Sequence, residues 1–275
     1  MGKMSNGLSA LTEFGFTIGG LEIRWYGIII AAGILVAFLV AAKLFKKAGY
    51  KDSIVYWILL ICIPAAIVGA RIYYVLFNLN DPDLKTFGII NIRKGGIAIY
   101  GGIIGGCLAL FIIARVKKCG FFTLADVCAV ALILAQSIGR WGNFMNKEVY
   151  GFEVASHAFP FTVDIYGTPH LATFFLESIL NLGGFILLLY VLSRQKKWGT
   201  TSAVYLIFYG CVRAILEPLR DPEYILKINP KGSGIVFNQV SFMISLVIIA
   251  LGVLILFANK KGWVSQRNET VLKEE

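Results

Sequence analysis

Residues 123–151 read TLADVCAVALILAQSIGRWGNFMNKEVYG, an apolar run that opens at residue 139 onto an arginine, two asparagines and a glutamate. Apolar stretches of about 20 residues cross a bilayer as helices, so this one reads as a span meeting a membrane surface. Six further apolar blocks flank it, at 25–42, 54–77, 95–114, 171–192, 202–216 and 235–257. The blocks at 123–138 and 202–216 look short for a span. The expected fold is therefore an all-α polytopic membrane protein with seven transmembrane helices. Composition agrees: 57% of the 275 residues are hydrophobic and 15% charged, against about 25% charged in soluble domains, and mean hydropathy is +0.75. The net charge of +10 would suggest nucleic acid in a soluble protein. Here the basic residues sit in short runs between apolar blocks, which makes the lipid bilayer the expected partner and excludes nucleic acid.

Those runs set an orientation. Lys43, Lys46, Lys47 and Lys51, then Arg115, Lys117 and Lys118, then Arg194, Lys196 and Lys197, then Lys260, Lys261, Arg267 and Lys273 fall in alternate loops. Lys and Arg near span ends mark the cytoplasmic side, so the N-terminus is expected outside and the C-terminus inside. The first sixteen residues lack the pattern of a signal peptide, and insertion is expected to rely on the spans. On the outer side, residues 139–170 form the longest polar segment. They are expected to make a small extracytoplasmic head, with a short strand near 161–165. Cys62, Cys107, Cys119, Cys128 and Cys211 show no metal-ligand or disulfide spacing and read as packing residues.

Three clusters carry chemistry. Residues 95–106, GGIAIYGGIIGG, place Gly95, Gly102 and Gly106 near the small-xxx-small spacing that lets helices approach. The same glycines also permit a broken helix whose amides hold an anion. Tyr100 lies among them. Residues 139–151 bring Arg140, Asn143, Asn146 and Glu148 to the outer end of a span. A guanidinium fork suits phosphate, and Gly142 leaves room for a headgroup. Residues 209–223, YGCVRAILEPLRDPE, put Arg213 and Glu217 four apart on one helix face, with Arg220 near the same face and Pro218 expected to kink the helix. Ionisable groups at membrane depth default to function, although an internal Arg213–Glu217 pair is the plainer alternative. Arg71 and Glu177 are further intramembrane charges that can pair. His157 and His170 lack metal-ligand spacing, so no metal and no cofactor are expected. The inventory suits an anionic headgroup and a phosphate leaving group, with the nucleophile supplied by a co-substrate.

At these residues the sequence resembles the bacterial prolipoprotein diacylglyceryl transferase family. The signature GRxGNFxNxExxG is met by Gly139, Arg140, Gly142, Asn143, Phe144, Asn146, Glu148 and Gly151. Supporting matches are the RWYG around Tyr26, the GAR at Arg71, the glycine block, YGxxRxxxExxR over 209–220, and Asn238-Gln239. The resemblance covers nearly the whole chain. It implies one membrane transferase domain over 1–275, in the bacterial cell membrane, active on the extracytoplasmic side. The implied reaction moves the diacylglyceryl group of phosphatidylglycerol to the lipobox cysteine thiol of a preprolipoprotein, forming a thioether and releasing glycerol 1-phosphate. It also implies that Arg140 and Arg213 hold the phosphate, that Asn143, Asn146 and Glu148 shape the headgroup site, and that Tyr26, Glu217, Arg220 and Gly151 lie beside it.

The chain departs from that pattern at Tyr100, where many members have a histidine proposed as base. A phenol with an ordinary pKa near 10 is a poor base at neutral pH, which leaves Tyr100 and Glu148 as catalytic candidates. PHLATFFLE around His170 and Glu177 carries one residue more than the family's run, and Arg93 stands where a tryptophan is usual. A transporter for an anionic solute, with Arg71, Arg140 and Arg213 along its path, is the alternative class. Transporters often show two related halves, and none is found in this sequence.

Overall fold

The structure, a computed structural model, describes residues 8–12, 15–18, 21–51, 53–79, 89–90, 96–221 and 240–262. Arg93, Gly95, Asn238, Gln239, Arg267, Lys273 and the start of the last span at residue 235 lie outside the described residues. Among the described residues, seven helices are long and apolar enough to cross a membrane: α1 Trp25–Lys47, α2 Ser53–Phe77, α3 Ile99–Val116, α4 Phe121–Asn146, α5 Thr173–Arg194, α6 Thr200–Leu216 and α7 Val240–Lys260. The chain is a multi-pass membrane protein, mostly helical as expected. The large apolar side chains left exposed on α2, α3 and α7, such as Leu60, Ile104 and Leu254, are what a helix facing lipid presents.

Two lengths differ from expectation. α4 runs to Asn146, so Arg140, Asn143 and Asn146 belong to its last two turns rather than to a loop. The polar residues ended the apolar run without ending the helix, because Arg, Asn and Trp are all compatible with helical backbone. α6 does not kink at Pro218; it stops at Leu216 and tightens into a 3-10 turn, Glu217–Leu219. Proline has no N–H to continue the ladder, and with this turn the membrane-compatible segment reaches 20 residues, Thr200–Leu219.

The described residues divide into two compact units, those up to Val40 with those from Cys128 on, and those between Ala41 and Val127. In the second unit α2 lies along α3. A Cβ on Gly101 would sit 2.2 Å from the Gly69 carbonyl oxygen, and one on Gly105 would sit 2.4 Å from that of Ala65. Gly102 and Gly106 meet Ala66 only at ordinary contact distance. The packing reading of the glycine block holds, with its register moved by one residue, and α3 is unbroken from Ile99 onward. Arg71 of α2 donates to the carbonyls of Ile89 and Gly96, both at 2.7 Å, and lies over the Tyr74 ring. Gly96 has φ +74°, and a Cβ there would strike Arg71 at 2.3 Å.

In the first unit α5, α6 and α7 pack in sequence, and the N-terminal part of α1 meets α4, with Gly33 facing Ala135 and Ile30 facing Gly139. Serines bind α4 to α5: Ser137 Oγ donates to the Ser178 carbonyl and Ser178 Oγ to the Ser137 carbonyl, each at 2.8 Å. Polar bonds of this kind join helices where lipid offers no hydrophobic drive. Between α4 and α5 stands a hairpin, β4 Thr162–Ile165 and β5 Thr168–Leu171. Its two-residue turn, Tyr166-Gly167, has positive φ at both positions, as a type I′ turn requires. Val163 and Ile165 alternate inward and, with Ala172 and Phe174, pack against Phe144 and Tyr150, which seats the hairpin on the end of α4. An antiparallel sheet of three short strands, Leu8–Thr12, Gly15–Ile18 and Leu21–Arg24, precedes α1; the sequence reading did not expect it.

Candidate functional site

Three arginines from separate parts of the first unit converge on two carboxylates. Arg140 Nη2 lies 2.6 Å from Glu177 Oε1. The other oxygen of Glu177 is 3.6 Å from Arg213 Nη1 and 3.4 Å from Arg220 Nη2. Glu217 Oε2 lies 2.9 Å from Arg213 Nη2 and 3.7 Å from Arg220 Nε. Both glutamates are fully buried, with Glu177 at 1% and Glu217 at 0% exposure. The local structure explains the convergence. The serine pair fixes α4 against α5 one turn from Arg140 and next to Glu177. Helical i, i+4 spacing aligns Arg213 with Glu217, and the turn at Pro218 folds Arg220 back so that its N–H meets the Glu217 carbonyl at 3.2 Å.

A second, softer cluster adjoins it. Arg140 Nη1 donates to Asn143 Oδ1, and the amides of Asn143 and Asn146 both donate to Glu148 Oε1, all at 3.3 Å. Tyr209, one turn before Arg213 on α6, also interacts with the Arg140 guanidinium. The Tyr26 ring fills the space beside Gly142, where a Cβ would come within 2.7 Å of it. The opening at Gly142 is thus taken by a side chain of the protein, which corrects the expectation of headgroup room there.

Gly151 is held by its backbone. Its N–H donates to Leu171 at 2.8 Å, its carbonyl meets His170 Nδ1 at 3.0 Å, and it bridges Arg220. His170 thereby acts as a strut of the head, with its ring against Tyr150. Tyr100 belongs to the other unit, in the first turn of α3 with its ring 6.3 Å from that of Tyr73.

Among the described residues, the buried Arg213 Nη1 and Arg220 Nε find ion-pair contacts at 3.6 and 3.7 Å but no hydrogen bond, and the buried Glu217 Oε1 finds none either. Buried donors of this kind are costly unless satisfied, and guanidinium N–H groups are satisfied best by oxyanions. Burial, then the neighbouring Arg213, pulls the Arg220 pKa down to about 10, so it remains a cation near neutral pH.

The structure thus joins Arg140, Arg213, Glu217 and Arg220 directly, and Asn143, Asn146 and Glu148 through Arg140. Glu177, which touches all three arginines, was marked by the sequence only as an intramembrane charge. Tyr209 was not singled out for a role, although its i, i+4 relation to Arg213 places it on the same face.

Fold and site together define a multi-pass membrane protein with a buried guanidinium cluster suited to an oxyanion at the end of its helices. Residues 13–258 match the family model described as prolipoprotein diacylglyceryl transferase. The chain is 38% identical over 248 residues to the phosphatidylglycerol–prolipoprotein diacylglyceryl transferase of Finegoldia magna, covering 90% of this chain and 95% of the relative. It is 40% identical to the transferase 1 of Clostridium perfringens, covering 86% and 90%, and 36% identical to that of Listeria monocytogenes, covering 92% of each. The chain belongs to the prolipoprotein diacylglyceryl transferase family.

Proposed function

We propose that this protein transfers the diacylglyceryl group of phosphatidylglycerol to the cysteine thiol of a prolipoprotein lipobox. The observation that carries this reading is the pair of buried, unsatisfied guanidinium donors on Arg213 and Arg220 beside Arg140, a set matched to one phosphate. The sulfur attacks the glyceryl carbon bonded to the phosphate oxygen, the C–O bond breaks, a thioether forms and glycerol 1-phosphate leaves. The thiol loses its proton in the process. Arg140 and Arg213 bind the phosphate and offset the charge that grows on the leaving oxygen. Glu148, steadied by two asparagine amides, receives the thiol proton. Tyr26 and Gly151 act beside them by shaping the headgroup site.

The site faces the extracytoplasmic side of the bacterial cell membrane. Within the first unit, Lys197 donates to the Asn259 carbonyl, which places two basic ends together at the end of α5–α7 opposite the arginine cluster. Lysine-rich ends are cytoplasmic by the positive-inside rule. Nothing favours the transporter reading, and Arg71 is committed to two backbone carbonyls of its own unit.

The test is to incubate the purified protein with phosphatidylglycerol and a lipobox peptide and to weigh the peptide. A mass gain of one diacylglyceryl group is expected, and its absence beside an active control refutes the activity. Arg140→Ala and Arg213→Ala should abolish transfer while the protein still inserts. Retained activity in both refutes the phosphate clamp.

A further inference from the structure

We infer that Glu177 and Glu217 set the charge of the anion site, tuning it to a phosphate bearing one negative charge and against one bearing two. This rests on the reading that a phospholipid phosphate occupies the arginine cluster. Three guanidiniums against two buried carboxylates leave one positive charge. A phosphodiester monoanion neutralises that charge, whereas a phosphomonoester dianion leaves a buried negative excess, which is strongly disfavoured. The unoccupied acceptor points the same way. Glu217 Oε1 is buried without a hydrogen bond, and it suits a P–OH or a glycerol hydroxyl but repels a bare phosphate oxygen.

Among the described residues, the other groups around the cluster do not alter the count of buried charge, and Asp221, next to Arg220, is only partly buried. Glu148, at the end of α4, is only partly buried and bonded by the Asn143 and Asn146 amides. Tyr209 of α6 and Tyr26 of α1 are phenols, and His170 of β5 faces the Gly151 carbonyl. The consequence is functional. The substrate lipid carries a diester with one charge, and breaking its C–O bond leaves the electron pair on oxygen, so the product forms as a monoester with two charges, the form it keeps above about pH 6. A site with one positive charge holds the first more firmly than the second, so product release is built into the carboxylate count. Phosphatidic acid, a monoester lipid, is discriminated against by the same means.

The experiment measures binding of two soluble probes to the full-length purified protein between about pH 5 and 8, by competition with phosphatidylglycerol. Glycerophosphoglycerol keeps one charge throughout, so it reports any titration of the protein itself. Glycerol 1-phosphate changes from one charge to two. In the wild type, glycerol 1-phosphate should weaken relative to the diester by about tenfold or more as pH rises, the scale of a unit charge a few ångströms away in a partly buried site. In Glu177→Gln and in Glu217→Gln that loss should disappear or reverse, and Glu177→Asp, which keeps the charge, should behave as wild type.

Equal binding of both probes by the wild type at the higher pH overturns the inference without any variant. So do two folded glutamine variants with an unchanged pH profile. If neither probe competes with phosphatidylglycerol at any pH while both arginine-to-alanine variants remain active, the phosphate site itself is wrong, and the inference falls with it.

Discussion

Gly151→Ala is expected to disable the site by displacing its backbone. A Cβ at this position would lie 2.6 Å from the Leu219 carbonyl oxygen, 2.8 Å from Leu171 Cβ and 2.9 Å from Thr173 Cγ2. The nearest of these is backbone, part of the 3-10 turn that carries Glu217 and delivers Arg220. Restoring ordinary contact requires that turn to retreat by roughly 0.8 Å, the difference between an ordinary 3.4 Å contact and the 2.6 Å separation. Overpacking of this kind costs about 1–3 kcal/mol, and a misplacement approaching 1 Å at a positioned group costs about a hundredfold in rate. The bridge between Gly151 and Arg220 transmits the shift directly to the guanidinium. The assay is kcat/KM for peptide diacylglyceryl transfer in reconstituted protein, alongside thermal stability. Gly183→Ala is the control, because a Cβ there meets nothing within 4 Å, and alanine within a helix is favourable by about 1 kcal/mol. Wild-type kcat/KM in a folded Gly151→Ala protein refutes the claim that close packing at this glycine sets Arg220.

Gly101→Leu should prevent stable pairing of α2 with α3, because its Cβ alone would fall 2.2 Å from the Gly69 carbonyl; Gly106→Ala should be tolerated, and yields of folded protein in detergent compare the two. With Arg220 lowered to about 10 by burial and Arg213, phosphatidylglycerol binding should owe nothing to its titration from about pH 7 to 9 and should fall above about pH 10, where the cation is lost. The sign for folding is opposite: a depressed arginine pKa means that burial penalises the cation, so its neutralisation relieves the fold from about pH 10 upward, toward the ordinary arginine range. Lipid affinity and melting temperature measured over that range should diverge. Tyr100→Phe should keep most turnover with an unshifted pH–rate profile; loss of the limb on which the rate rises with pH would make the phenol the base.

The spans were legible because apolar runs of bilayer length have few other uses, and Arg140, Arg213, Glu217 and Arg220 were legible as charges that a membrane makes expensive. The centre of the cluster was not. Glu177 touches all three arginines, yet in the sequence it is one acid in TFFLESILN, and only the packing of α4 on α5 through Ser137 and Ser178 shows which cations it meets. The end of α4 was misplaced because composition changes at residue 139 while the backbone does not. Gly142 was read as space, and the third dimension fills it with Tyr26. The three strands before α1 are four or five residues each, too short for their alternation to stand out from the apolar background.

The way the charges are distributed along the chain bears on how the protein gets into the membrane. α6 has the lowest hydropathy of the seven helices, but it carries Arg213 and Glu217 as a ready-made i, i+4 pair and enters the bilayer already neutralised. α4 and α5 have no such internal remedy for Arg140 and Glu177, whose partners lie on each other. Releasing either one alone would strand a charge at the lipid edge. The connection between them ends in a folded hairpin, Thr162–Leu171, rather than a loose tether, so biogenesis is best served when α4 waits at the insertion machinery until α5 emerges and the two leave it as one neutral pair.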